Sequence, residues 1–171
     1  MQPDPAALPD YAAVLEPGGG AFRLGIRFDG GRLCHIDLLP TDALVNVIAD
    51  DPVLTDRVVT QLRDYFADPR KGFSVPLALR GTPFQRRVWR ALMTIPPGEV
   101  RTYGLLARHL GTSARAIGGA CRANPVPVIV PCHRVVASRG LGGYAGHTGG
   151  DVLAIKDWLL EHESHLAQRP H

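Results

Sequence analysis

Between Gly81 and Asn124 the chain carries a helix start or stop signal about every ten residues, which restricts this stretch to short helices joined by tight turns. Thr82 with Pro83 opens a helix that has Phe84, Val88, Trp89 and Leu92 at core spacing, and Ile95-Pro96-Pro97-Gly98 ends it. Thr102 caps a second helix, with Leu105, Leu106 and Leu110 inward and Gly111 as its stop. Ser113 caps a third, running from Ala114 to about Ala123. Two short helices separated by Gly111-Thr112 make a helix-turn-helix, a unit that can lay its second helix into a DNA groove.

The third helix is weak by propensity, because Gly118 and Gly119 each cost about 1 kcal/mol relative to alanine. Such a loss suits a bare face that something must approach closely, either a neighbouring helix or a DNA backbone. Arg115 and Arg122 on the same element favour the second. A last helix, from about Val152 to Glu163, carries Leu153, Trp158 and Leu159 inward.

The first half reads differently. The first ten residues hold three prolines and little periodicity, as in a loose arm. Phe22, Leu24, Ile26 and Phe28 then alternate in period two, Asp29-Gly30-Gly31 supplies a hairpin turn, and a second strand follows around Leu33 to Leu38. Thr55 caps a helix from about Asp56 to Ala67, with Val58, Val59, Leu62, Tyr65 and Phe66 on one face, and Val75 to Leu79 reads as one more short strand. No polar constellation stands out here, so this half takes a supporting role.

The chemistry concentrates at Pro131-Cys132-His133-Arg134-Val135-Val136, where a thiol stands beside an imidazole after an apolar run. A thiolate is the reactive form, and a cysteine near its ordinary pKa of ~8.5 needs a base or a positive field to reach it at neutral pH. Neighbours in an extended segment point to opposite faces, so His133 is expected to act on Cys132 through a water and not by direct contact. Arg134 reads as structural. Three cysteines, Cys34, Cys121 and Cys132, form no CxxC pair, which argues against a disulfide framework and against a tetrahedral zinc site.

Charge is strongly segregated. Residues 1–79 sum to −4, residues 80–139 to +9 with Glu99 as their single acid, and residues 140–171 to −2. A preference for Arg, 17 against 2 Lys, explains the kind of base but not the missing acids of one segment. The central third is the footprint of a surface that binds a polyanion. Apolar runs break within about ten residues, short of the ~20 a spanning helix needs, and Met1 to Pro9 lacks the basic start and apolar core of a secretory signal, so a cytoplasmic protein is expected.

Ala114-Arg115-Ala116-Ile117-Gly118-Gly119-Ala120 and Asn124-Pro125-Val126-Pro127 lead directly into the hexapeptide, and with them the run from Thr82 to Glu163 resembles the O6-alkylguanine-DNA alkyltransferases, also called methylated-DNA-protein-cysteine methyltransferases. Before Leu79 the resemblance is weak. It implies a mixed α/β (α+β) fold: an RNase H-like supporting domain over 1–79, with a small antiparallel sheet and helices, and a helical domain over 80–171 with a winged helix-turn-helix. It implies direct-reversal DNA repair, in which Cys132 irreversibly takes the alkyl group from O6-alkylguanine, or less well from O4-alkylthymine, once per molecule.

In that chemistry His133 would take the thiol proton through a bound water, and Glu163 would orient and charge-stabilise the imidazole. The damaged nucleotide would be rotated out through the minor groove, with Arg115 filling the vacancy in the stack. Tyr103 would assist the rotation and donate a hydrogen bond to the departing guanine, and Asn124 would tie the recognition helix to the active-site turn. Ala114, Gly118, Gly119 and Arg122 complete the implied DNA contact. Pro127 and Tyr144 would wall the guanine pocket, the carbonyls of Cys132 and Val135 would accept from the exocyclic amine, and the N–H of Ala145 would face O6. The resemblance implies no cofactor. Some relatives carry a zinc in the N-terminal part, but Cys34 and His35 alone do not make a site, and no metal is expected. Double-stranded DNA is the implied partner, met by a monomer, with cooperative loading left open.

Two features stand apart from the family pattern. Residues 146–155 read as a long loop between pocket and last helix, a lid that could widen the range of alkyl groups. Cys121 lies on the recognition helix where an apolar residue is expected. Rival readings are a binding-only protein that recognises the lesion without a reactive cysteine, disfavoured because Cys132 is present, and a cysteine hydrolase, disfavoured because the +9 segment and the helix-turn-helix would go unused. A transcriptional regulator would need an activator domain that this length does not provide.

Overall fold

The computed structural model describes residues 7–145 and 150–167. Its N-terminal half is built on a three-stranded antiparallel sheet in the order β2(Ala13–Leu15)-β3(Arg23–Asp29)-β4(Arg32–Leu39), with β1(Asp10–Tyr11) and β5(Asn46–Val47) forming a separate parallel pair. The β3–β4 hairpin closes through Gly30 and Gly31, at φ +56° and +70°. A two-residue turn with both centres at positive φ matches the twist of the flanking strands and is open mainly to glycine. Leu24 and Ile26 point to the core and are fully buried, as their alternation requires.

Helix α1(Pro52–Ala67) packs its Val58, Leu62 and Tyr65 face into the same core. It starts earlier than the sequence reading placed it. Asp51, and not Thr55, is the cap: its carboxylate accepts from Leu54 N at 2.9 Å, and Pro52 occupies the first turn, where its missing N–H costs nothing. Thr55 instead buries its hydroxyl without a partner among the described residues. Two further expectations change. Residues 10–15, read partly as arm, form β1 and β2, and Val75 to Leu79 contributes a single bridge, Leu77 to Leu33, in place of a strand.

The second half follows its punctuation closely. Helix α2(Pro83–Leu92) opens with a full capping box between Thr82 and Gln85, α3(Tyr103–Leu110) is capped by Thr102 and stopped by Gly111 at φ +63°, and α4(Ala114–Arg122) is capped by Ser113. The inward face of α3 is Leu106 and Ala107, while Leu105 is exposed, so the first of the three expected core leucines points to solvent. Trp89 on α2 is fully buried and donates from Nε1 to Ala120 O at 2.8 Å, which locks α2 against α4.

Helix α5(Asp151–Ala167) is longer at both ends than the expected Val152 to Glu163. Its start at Asp151 removes half of the expected 146–155 loop, and residues 146–149 of that loop lie outside the described residues. The short parallel pair β6(Arg101–Thr102) and β7(Val135–Val136) joins the entrance of α3 to the exit of the cysteine turn. One continuous apolar core runs through both halves, and β4 reaches the active-site segment directly, Ile36 N donating to Pro125 O at 2.9 Å. Among the described residues no helix is long and apolar enough to cross a membrane.

The reassigned cap has a measurable consequence. Asp51→Ala should cost about 1 kcal/mol of stability, whereas Thr55→Val, which deletes an unpartnered buried hydroxyl, should be neutral or stabilising. Urea unfolding of both variants checks this, and the opposite ranking would restore Thr55 as the cap.

Candidate active site

Helices α3 and α4, the cysteine turn and the 137–145 loop enclose a cleft of about 1020 Å³ whose wall includes Tyr103, Arg115, Gly118, Gly119, Cys132 and Tyr144. Cys132 is only 3% exposed, so the cleft is its route of access. The turn Cys132–Arg134 is 3₁₀ and not extended; the strand geometry assumed for the Cys-His pair therefore does not apply.

Asn124 holds the segment that enters this turn. Its amide nitrogen donates to Val130 O at 2.8 Å and to Cys132 Sγ at 3.2 Å, and its Oδ1 accepts from Val126 N at 3.0 Å. Between these anchors Val128 sits at φ +76°, a conformation a β-branched residue adopts only under strain of about 1–3 kcal/mol. The buried neighbours Val126, Ile129 and Val130 hold it there.

His133 and Glu163 are both buried, and Nε2 and Oε1 lie 2.7 Å apart. Arg134 grips the same carboxylate, from Nε at 3.0 Å to Oε2 and from Nη2 at 2.8 Å to Oε1, and also donates to Ile95 O. Tyr65 Oη donates to Oε1 at 2.7 Å and Gly98 N to Oε2 at 3.3 Å. Burial alone would raise the Glu163 pKa, but the hydrogen bonds from His133 and Arg134 outweigh it and hold the group ionised, well below the carboxylate range. Burial pushes His133 down against the pull of Glu163, so the imidazole is neutral near pH 7. Beside a carboxylate that can only accept, its proton sits on Nε2. Nδ1 then remains a base, buried and without a partner among the described residues.

Burial pushes the Cys132 thiol up to about 11, partly offset by the Asn124 hydrogen bond and the Lys156 charge. At neutral pH it is a thiol, and reaction requires removal of its proton. Cys121, also on the cleft wall, is buried and its thiol is pushed up further by desolvation, which favours a packing role.

Sequence reasoning missed Lys156. It is fully buried on α5 and donates from Nζ to Val135 O and Leu141 O, each at 2.6 Å, and to Gly143 O at 2.9 Å, which fixes the loop carrying Tyr144 and Ala145. Burial lowers its pKa to about 8. The one available signal was spacing: Lys156 and Glu163 are seven residues apart, on one face of α5, and that face carries Leu159. Tyr65 was placed on a packing face, with nothing to indicate the task of its hydroxyl.

Of the expected pocket residues, Tyr144 and Ala145 line the cleft, while Pro127 and Val135 are buried and do not. The Cys132 carbonyl already accepts from Val135 N, and the Val135 carbonyl from Lys156. Tyr103 Oη donates to Gly143 O at 3.2 Å across the cleft. Ala114, Arg115 and Arg122 are exposed along its rim. A Cβ added at Gly118 or Gly119 would meet nothing within 4 Å. Packing within the protein therefore does not require glycine there, and the bare face of α4 lies open. Among the described residues no group of three or more His, Cys, Asp or Glu side chains could hold a metal.

Residues 83–165 match the family described as 6-O-methylguanine DNA methyltransferase, DNA binding domain. A methylated-DNA–protein-cysteine methyltransferase of Shigella flexneri is 47% identical over 110 residues, 62% of this chain and 61% of its own length. One of Mycobacterium bovis is 52% identical over 99 residues, 56% of this chain and 60% of its own. The chain thus spans about three-fifths of the length of these curated relatives. The crystal structure of Mycobacterium tuberculosis OGT in complex with DNA superposes with a TM-score of 0.69 at 40% identity, covering 84% of this chain and 88% of that one.

The charges of the site set an acid limit on the fold. Both His133 and Glu163 have lowered pKa values in the folded state, so the unfolded chain binds more protons and stability falls as pH drops. The loss should begin below about pH 6.5 through His133 and deepen below about 4.3 through Glu163. Glu163→Gln should flatten the deeper limb and cost about 3–5 kcal/mol near neutrality, since Arg134 is left uncompensated. Denaturant melts of both proteins across this range check it.

Proposed function

The chain belongs to the O6-methylguanine-DNA methyltransferase family, and on that premise we propose that it repairs alkylated DNA by direct reversal, taking the alkyl group onto Cys132 in a single irreversible turnover. The observation that carries this reading is a buried thiol on the wall of a cleft beside a helix-turn-helix, next to an imidazole whose Nδ1 has no partner among the described residues. His133 Nδ1 accepts the Cys132 proton through a bridging water, and Glu163 holds the imidazole in that tautomer and stabilises it once charged. The sulfur forms a bond to the alkyl carbon as the carbon–O6 bond breaks. The electron pair goes to the guanine, which is reprotonated with help from the Tyr103 hydroxyl, and the protein keeps a thioether.

Double-stranded DNA containing O6-alkylguanine is the partner, with O4-alkylthymine a poorer substrate. Helix α4 meets it through Ala114, Arg115, Gly118, Gly119 and Arg122, and the +9 segment supplies a charge field that every DNA sequence feels equally. Arg115 takes the place of the rotated nucleotide, Asn124 keeps the cysteine turn in register with α4, and Tyr144 and Ala145 shape the guanine site. The division into a supporting half, 1–79, and a DNA-binding, alkyl-accepting half, 80–171, belongs to the same proposal, as does a cytoplasmic monomer without a cofactor.

Intact-protein mass spectrometry with a duplex carrying one O6-methylguanine tests the reading. One methyl mass per molecule, absent in Cys132→Ser, is expected; tight lesion binding with no mass change would point to a binding-only protein. Arg115→Ala should slow the reaction on duplex by about tenfold or more, the effect of losing 1.4 kcal/mol from a rotation that costs a few kcal/mol. Gly119→Ala should stabilise the protein by up to about 1 kcal/mol while weakening DNA binding, which a thermal melt and a binding titration would register together.

A further inference from the structure

Tyr65 is 1% exposed and lies on α1, in the half that the sequence marks as support. Its ring is fixed by Phe66, Phe73 and His162, at centroid distances of 5.1, 5.4 and 5.8 Å. Its hydroxyl shares Glu163 Oε1 with His133, each at 2.7 Å. Arg134 Nη2 also donates to Oε1, at 2.8 Å, while Oε2 accepts from Arg134 Nε and Gly98 N. Each added donor withdraws charge from the carboxylate and fixes the plane in which it can accept.

We propose that Tyr65 is a positioning residue for alkyl transfer: its O–H, donated to the oxygen that His133 also uses, sets the basicity and orientation of that imidazole from the N-terminal half of the chain. The inference rests on the reading of Cys132 and His133 given above. Removing the hydroxyl leaves Oε1 a stronger acceptor for the Nε2 proton and therefore raises the affinity of His133 for a second proton. Desolvation holds the Tyr65 phenol well above its ordinary value, so it remains a donor throughout the working range. The other ionisable groups around the pair are Arg134 in the same turn, Cys132 beside it, Lys156 on α5 and Tyr144 on the pocket loop, while His162 of α5 meets the Tyr65 ring edge-on.

The test compares the wild-type protein with Tyr65→Phe and with Phe73→Leu, which touches the same ring but no carboxylate. Single-turnover rates on the O6-methylguanine duplex are measured across pH, and the His133 imidazole is titrated by NMR. In Tyr65→Phe the acid limb of the rate and the His133 midpoint should both move up by about half a pH unit or more, with Phe73→Leu leaving both in place. Site-specific 3-fluorotyrosine at position 65, a stronger donor that preserves the packing, should move the midpoint down, and this arm serves even where Tyr65→Phe fails to fold. Unchanged midpoints in the fluorotyrosine protein, or equal shifts in Phe73→Leu, would overturn the proposal. Failure of the wild-type protein to accept a methyl group would overturn the proposed function, while the NMR titration would still judge the coupling of Tyr65 to His133.

Discussion

The carboxylate of Glu163 is the point on which the structure turns. It is 1% exposed and collects donors from three separate places: Tyr65 on α1, Gly98 after α2, and His133 and Arg134 in the cysteine turn, while its own backbone belongs to α5. A buried charge is tolerable only when it is paired and hydrogen-bonded, and removing any one partner exposes the cost of the rest. Segments far apart in sequence are therefore held to one geometry by a single ion, and the imidazole that shares this ion takes its orientation from them. The apolar core brings these elements near one another, but apolar contact is non-directional. The hydrogen bonds to Glu163 add the direction.

Around that point the cleft trades stability for access. Val128 is strained, Gly118 and Gly119 weaken α4, and Lys156 is buried with its Nζ donating to three carbonyls and no carboxylate among the described residues. Each feature is unfavourable in isolation, and each lies in or fixes a segment that builds the cleft or leads into the cysteine turn. Local rules are most often broken at a functional site, where surrounding structure compensates. Here Asn124 braces both ends of the strained segment, and the capping box, Gly111 stop and Trp89 anchor keep the helices in place. The open face of α4 then remains rigid enough to meet another body, despite its glycines.

The sequence alone determined the elements whose signals are local. Thr82, Thr102, Gly111 and Ser113 mark the ends of α2, α3 and α4 because caps and stops act within one helical turn, and the alternation from Phe22 to Phe28 with Gly30-Gly31 marks the hairpin because strand period and turn chemistry are equally short-ranged. It also singled out Cys132, His133 and Glu163, through a compact motif and a family resemblance. Where two local signals compete, Asp51-Pro52 prevails over Thr55 as the helix start, and β1 and β2 are not legible because strands of two or three residues carry almost no period. Only the tertiary structure decided that Tyr65 donates to Glu163 across 98 positions, that Arg134 grips the same carboxylate, and that Lys156 caps two carbonyls of the pocket loop and that of Val135 on β7. These are hydrogen bonds between groups brought together by burial, and a side chain's partner in a packed interior depends on distance in space, which no spacing along the chain encodes.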